Sequence, residues 1–249
     1  MSLKTVIRNS PLMRVIQDVS SPIARRLPVE SMPGWVGFLH GLSVPKRAVP
    51  LPSPSPASGA NIKVIFSLLK PVIHLPGDLA ECGVFRGHTL IPVGLYLAQN
   101  KIDKRVYGFD SFEGFGDVDR GGATEDEFIK EYGDLDDTSF DLVQGMVDRF
   151  DLNNHVSLIR GYFDRTLQTV STKRFCFVHL DVDLYESYIT CLQFFYERMV
   201  PGGVILLDEY NDPPWPGCNR AVDEFLRGKP EMLEEQSVDN YIKYFIRKR

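Results

Sequence analysis

Four acids stand at the ends of two apolar runs: FCFVHLDVD carries Asp181 and Asp183, and VILLDE carries Asp208 and Glu209. Runs of that length separated by a helical stretch read as buried parallel strands. An acid at the tip of such a strand loses hydration, and two acidic tips side by side repel unless a cation or protons intervene. A divalent cation fits that need, and oxygen ligands suit a hard ion with open positions better than zinc.

A second group of residues suits a nucleoside ligand. LAECGVFRGHTL reads as a strand, a glycine loop and a helix start, with Glu81 late in the strand and Gly83 and Gly87 in the loop. The pattern is E-x-G-x-x-x-G, whereas a dinucleotide pyrophosphate wants G-x-G-x-x-G. VYGFD then places Asp110, followed by Ser111, about 20 residues past the loop, where open α/β folds read a ribose. A ligand with a ribose and a zwitterionic end but no phosphate fits, and S-adenosylmethionine is one. Its amino group can be held by acceptors near the loop and its ribose hydroxyls can donate to Asp110. The alternative at this point is that Gly83 and Gly87 only shape a turn.

For the acids to meet, the chain between them must return to the same edge of a sheet. Leu184 to Met199 has apolar residues at close to helical period, so a strand, helix, strand unit is predicted. Its right-handed crossover brings both acidic tips to one sheet edge, where open α/β sheets bind ligands. Further helices are predicted over 61–75, 90–100, 138–150, 163–170 and 218–227. Strands are predicted at 105–110 and 156–160, with a closing pair at 232–236 and 241–246. The acidic, glycine-rich stretch 111–141 reads as a mobile loop feeding a helix near 125–132 and the one at 138–150. Residues 1–60 form an arm or lid, a basic amphipathic segment followed by the proline-rich linker Pro45–Gly59, and residues 61–249 form the catalytic domain.

Composition narrows the function classes. The 249 residues are 43% hydrophobic and 24% charged, enough for one sizeable core, and the net charge of -5 argues against a nucleic-acid binder. Cys82, Cys176, Cys191 and Cys218 show no C-x-x-C pairing and read as reduced thiols in a cytoplasmic protein. No apolar run approaches a membrane span. His179 alternates with core residues and reads as a core histidine. Trp35 and Trp215 are candidates for stacking on an acceptor, while Tyr185 and Tyr210 flank the acids.

These motifs support a resemblance. FVHLDVDLYES followed by MVPGGVILLDEYNDPPWPGCNRAVDEF resembles the macrocin O-methyltransferase family, and LAECGVFRGHTL and VYGFDSFEGF are similar to its cofactor motifs; the likeness runs from Gly77 to Phe225. It implies a Rossmann-like α/β methyltransferase fold, a mostly parallel sheet with an antiparallel C-terminal strand and an N-terminal helical arm. The implied activity is Mg²⁺-dependent transfer of a methyl group from S-adenosylmethionine to a hydroxyl of a small molecule, a sugar or glycosylated metabolite. A homodimer is the expected assembly.

By the resemblance, Asp181, Asp208 and Glu209 bind Mg²⁺, Asp183 is the general base, and Glu81, Gly83, Gly87, Asp110 and Ser111 bind the cofactor. The family has two aspartates at the second tip, so Glu209 is longer by one methylene. Asp183 has a second reading as the N-cap of the following helix, with Glu186 completing a capping box. Two rival functions are another metal-dependent sugar-nucleotide enzyme, against which the missing phosphate loop speaks, and a non-catalytic nucleotide-binding module, against which the intact acids speak.

Overall fold

The structure, a computed structural model, describes Val29, residues 56–116 and residues 135–249. The first helix among the described residues, α1 (Pro56–Val72), starts inside the stretch expected to be linker. Proline is tolerated there because the first N–H of a helix has no intrahelical partner. The remaining elements are β1 (Asp78–Cys82), α2 (Leu90–Gln99), β2 (Val106–Asp110), α3 (Phe140–Arg149) and β3 (Val156–Arg160), then α4 (Phe163–Thr166) running into a 3₁₀ turn at Leu167–Val170. After these come β4 (Phe175–Leu180), α5 (Tyr185–Tyr196), β5 (Met199–Leu207), α6 (Pro216–Leu226), β6 (Leu233–Val238) and β7 (Tyr241–Arg247). Residues 1–55 of the arm except Val29, Trp35 among them, and the helix expected near 125–132 lie outside the described residues. Val29 itself is buried in the domain core and donates its N–H to Gln99 Oε1 at 3.4 Å.

Among the described residues seven strands form one sheet, in the order β3-β2-β1-β4-β5-β7-β6. The first five are parallel, and β7 runs antiparallel to both β5 and β6. The expected mostly parallel sheet with an antiparallel C-terminal strand is therefore the one observed. Parallel strands joined through helices bury both faces, which is why β4 is buried at every position. One core holds α1, α2 and α3 against Leu79, Phe177, Val204, Leu206 and Phe245. The other holds α5 and α6 against Ala80, Cys82, Val178, Leu180, Ile205 and Leu207. All four cysteines are free and buried.

Two local expectations need correction. The helical connection expected over Leu184 to Met199 stops at Tyr196, and β5 begins at Met199 and absorbs Pro201-Gly202-Gly203 as a register irregularity against β4. The capping box at Asp183 does not form. Leu184 is the N-cap of α5, with no side-chain cap bond, and Asp183 takes a left-handed backbone at φ 60°. That conformation costs a non-glycine residue about 1–3 kcal/mol and persists where the surroundings impose it.

Candidate active site

The registers set the carboxyl ends of the central strands level. Cys82 pairs with Phe109 and with Leu180, and Leu180 pairs with Leu207, so Gly83, Asp110, Asp181 and Asp208 are the next residues on four adjacent strands. Close approach at this level explains one glycine. Gly83 lies at φ 85°, and a Cβ there would fall 1.7 Å from the Asp181 carbonyl oxygen, so the protein's own backbone requires glycine at that point.

Strand alternation decides which acids meet. Side chains two apart share a face, so Asp208 follows Leu206 toward α1 while Glu209 follows Leu207 toward α5. Asp208 Oδ1 lies 3.1 Å from His179 Nε2 and accepts from Asn61 Nδ2 at 3.1 Å. Its Oδ2 lies 2.8 Å from Lys243 Nζ, which also donates to the Asp208 carbonyl. Burial alone would raise the Asp208 carboxyl, but Lys243 and His179 outweigh it and hold the group well below the usual carboxylate range. On the opposite face the buried Glu209 accepts from the Tyr188 hydroxyl and, at 3.3 Å, from the Asp183 N–H.

The three acids expected to hold a cation are thus divided. Asp181 groups with His179 and Asp208 on one side and with Asp183 and Glu209 on the other, the potential ligand atoms of each group lying within 4.8 Å of one another. Burial, then the charge of Asp208, pushes the Asp181 carboxyl up to about 6. Burial followed by Asp181 and Asp208 raises Asp183 and Glu209 well above their ordinary values, and Glu81 likewise, with Asp110 adding to the effect. An excess of buried carboxylates over cations is what a divalent ion would relieve, and Asp181, Asp183 and Glu209 form an all-oxygen set suited to a hard ion.

The loop residues expected to bind a cofactor surround the same edge. Asp110 holds two loops together, its Oδ2 accepting from Phe85 N–H at 2.7 Å and its Oδ1 from Phe112 N–H at 2.6 Å. A carboxylate can accept about four hydrogen bonds, so Asp110 keeps capacity for a ligand hydroxyl. The Ser111 hydroxyl donates to the Gly114 carbonyl at 2.8 Å and accepts from Glu113 N–H at 3.1 Å, so it shapes its own loop. Gly87, at φ 74°, faces Val143 and Ile91, and its neighbours leave a Cβ little room. Between α1 and this loop a cleft is bounded by Asn61, Glu81, Arg86, His88, Thr89 and Asp181.

Several of these residues escaped sequence reasoning. Lys243 had a detectable signal: it shares the inward parity of β7 with buried Phe245 and is itself 5% exposed. Asn61 and Arg86 had none beyond their neighbourhood. His179 is buried as expected, but it touches the acid cluster through Nε2. Trp215 is buried edge-on to Phe115 at 6.4 Å between ring centroids. Tyr185 and Tyr210 donate to Glu224 and Asp223 on α6.

The profile of the macrocin O-methyltransferase family, TylF, matches residues 67–247, from within α1 to the end of β7. The chain belongs to that family. Its relatives include the 8-demethyl-8-(2,3-dimethoxy-alpha-L-rhamnosyl)-tetracenomycin-C 4'-O-methyltransferase of Streptomyces olivaceus, 32% identical over 62% of this chain and 59% of that one. Demethyldecarbamoylnovobiocin O-methyltransferase of Streptomyces niveus is 32% identical over 65% of this chain and 62% of its own length. The chain spans about three fifths of the length of the curated relatives it matches. The structure of the O-methyltransferase NovP superposes with a TM-score of 0.73 at 25% identity, covering 88% of this chain and 99% of that one. The calicheamicin methyltransferase CalS11 shares the fold, with a TM-score of 0.64 at 20% identity over 99% of this chain and 96% of that one. The fold is therefore the Rossmann-like one of O-methyltransferases. Among the described residues no helix is long and apolar enough to cross a membrane.

Proposed function

We propose that this TylF-family chain is an O-methyltransferase that moves the methyl group of S-adenosylmethionine to a hydroxyl of a sugar on a small molecule, with a divalent cation such as Mg²⁺ at the acid cluster. The observation that carries the reading is the convergence of Asp181, Asp183 and Glu209 on one point, beside a cleft lined by Glu81, in a chain of this family. The Streptomyces olivaceus relative named above, whose name describes methyl transfer to a rhamnosyl compound, supports the acceptor class.

Asp181 and Glu209 would hold the cation, with Asp183 beside them as proton acceptor. Asp208 already has Lys243 as counter-ion and joins the ligand set only by loosening that pair. When bound, the cation supplies positive charge that makes a neighbouring alcohol more acidic. The residues of the chain do the rest. Asp183 receives the hydroxyl proton as the oxygen attacks the methyl carbon, and its raised affinity for protons suits that task. The sulfonium becomes a neutral thioether, so the leaving group needs alignment more than charge stabilisation, which the Asp110-tied loops can provide.

Cation binding has a pH signature that tests the reading. The raised carboxyls of Asp181 (about 6), Asp183 and Glu209 favour the folded chain below their unfolded values, and that advantage is lost as pH rises through the folded ones. A cation must displace those protons. Millimolar Mg²⁺ should therefore raise the thermal midpoint near pH 8 and raise it much less near pH 5.5. A midpoint indifferent to Mg²⁺ at both values would remove the cation from the proposal.

Asp110 tests the cofactor. Asp110→Ala should weaken binding of S-adenosylhomocysteine by about 1.5–3 kcal/mol, the scale of hydrogen bonds to a charged group, as measured by calorimetry. It should also lower the thermal midpoint, because Phe85 and Phe112 lose their acceptor. A lowered midpoint with unchanged affinity would confine Asp110 to tying the loops.

A further inference from the structure

Where the family resemblance implies a second aspartate at the end of β5, this chain has Glu209, and its carboxylate is held from two places. Oε2 accepts from the Tyr188 hydroxyl and, at 3.3 Å, from the Asp183 N–H. The first donor stands in the opening turn of α5 and the second just before that helix begins, so one oxygen pins the start of α5 to the end of β5. Glu209 is 3% exposed and Tyr188 is fully buried, so water does not compete for this contact.

A hydroxyl has one proton to give, and two acceptors lie within reach of Tyr188: Glu209 Oε2 and the Leu180 carbonyl at 3.0 Å. That carbonyl already accepts the Asp208 N–H at 2.9 Å. The carboxylate is the stronger acceptor and takes the proton, while the hydroxyl oxygen accepts the N–H of Glu209 itself at 3.4 Å. The two acids at the end of β5 therefore meet different fates. Asp208 is neutralised by the Lys243 ammonium, whereas Glu209 is held by uncharged donors that leave its negative charge in place.

We infer that Tyr188 is a positioning residue for the cation: its hydroxyl holds the Glu209 carboxylate where ligand atoms of Asp181, Asp183 and Glu209 lie within 4.8 Å of one another. The inference rests on the cation of the proposed function and adds to it a residue outside the acid cluster. With Oε2 occupied by Tyr188 and Asp183, Oε1 is the oxygen offered to the ion. Partners that orient a ligating carboxylate in this way typically contribute about 10–100-fold to metal affinity.

Calorimetric titration of Mg²⁺ into the full chain near pH 8 tests this, with Tyr188→Phe, Glu209→Gln and the double variant. Tyr188→Phe keeps the ring and its packing. It should weaken Mg²⁺ about 10–100-fold while S-adenosylhomocysteine binds as before. Glu209→Gln should weaken Mg²⁺ at least as much, and the double variant should be no weaker than Glu209→Gln alone, because the hydroxyl acts only through the carboxylate. Mg²⁺ affinity equal to the parent's in Tyr188→Phe, even with a lower melting point, would confine the hydroxyl to holding the fold and overturn the inference. So would a double variant weaker than Glu209→Gln by the full factor of the tyrosine change. Should Tyr188→Phe not fold, Glu209→Gln still decides, since parental Mg²⁺ affinity there would leave Tyr188 no ligand to position. A parent chain that binds no Mg²⁺ would overturn the cation reading and this inference together.

Discussion

Asp183→Asn should lower turnover by a factor on the order of 10²–10⁴ while leaving S-adenosylhomocysteine and Mg²⁺ affinity nearly unchanged. Asparagine keeps the shape and is among the few side chains that accept a left-handed backbone, so the φ of 60° at this position is not disturbed. What is lost is the ability to take a proton. Steady-state rates with the acceptor across a range of Mg²⁺ concentrations decide the role: rescue by excess Mg²⁺ would make Asp183 a cation ligand, and an unchanged rate would make another group the base. Asp183→Gly separates strain from chemistry. It relaxes the backbone and removes a buried carboxyl crowded by Asp181 and Asp208, so the variant should be inactive and yet melt higher than the parent. A lower melting point would mean that the carboxyl makes a stabilising contact.

Lys243→Met should destabilise the fold by about 3–5 kcal/mol, the usual consequence of leaving one partner of a buried ion pair alone. Lys243 and Asp208 are 6% and 15% exposed along their side chains, and Asn61, which also donates to the Asp208 carboxylate, is an uncharged amide that cannot replace the ammonium. Chemical denaturation of Lys243→Met, Asp208→Asn and the double variant would test it. The double variant should recover much of the loss, because two uncharged partners leave no stranded charge. Lys243→Met should also tighten Mg²⁺ binding, since it frees Asp208 to join Asp181. Unchanged stability in the single variant would mean that the pair does not form in the protein.

Most of the framework was legible because it rests on local patterns. Apolar runs ending in acids located β4 and β5, the glycine loop located the turn after β1, and a periodic stretch between two strands located α5. Boundaries failed where one residue decides them. Pro56 opens a helix in an otherwise proline-rich linker, and Asp183 leaves the capping position to Leu184 by adopting a left-handed backbone that composition does not announce. The acids themselves were found, but their grouping was not. Adjacent residues at a strand end point to opposite faces, so Asp208 and Glu209 acquired different neighbours, and only the three-dimensional partners Lys243 and Tyr188 reveal it. Asn61, Arg86 and Lys243 come from segments far apart in the chain, and no spacing rule connects them.

The position of β6 at one end of the sheet bears on how two copies of the chain can associate. An end strand offers unpaired backbone groups along one side, and a second copy could extend the sheet by docking there. On this strand Glu234 and Glu235 are both exposed, near its start. Symmetric docking of two such strands would bring these acids to a seam between chains that each already carry a net negative charge, and the summed repulsion disfavours the pairing. Strand-to-strand extension is thereby discouraged at this margin, against fibre-like growth and against a dimer sharing one continuous sheet. A homodimer of this chain should be sought through its helices or its N-terminal arm.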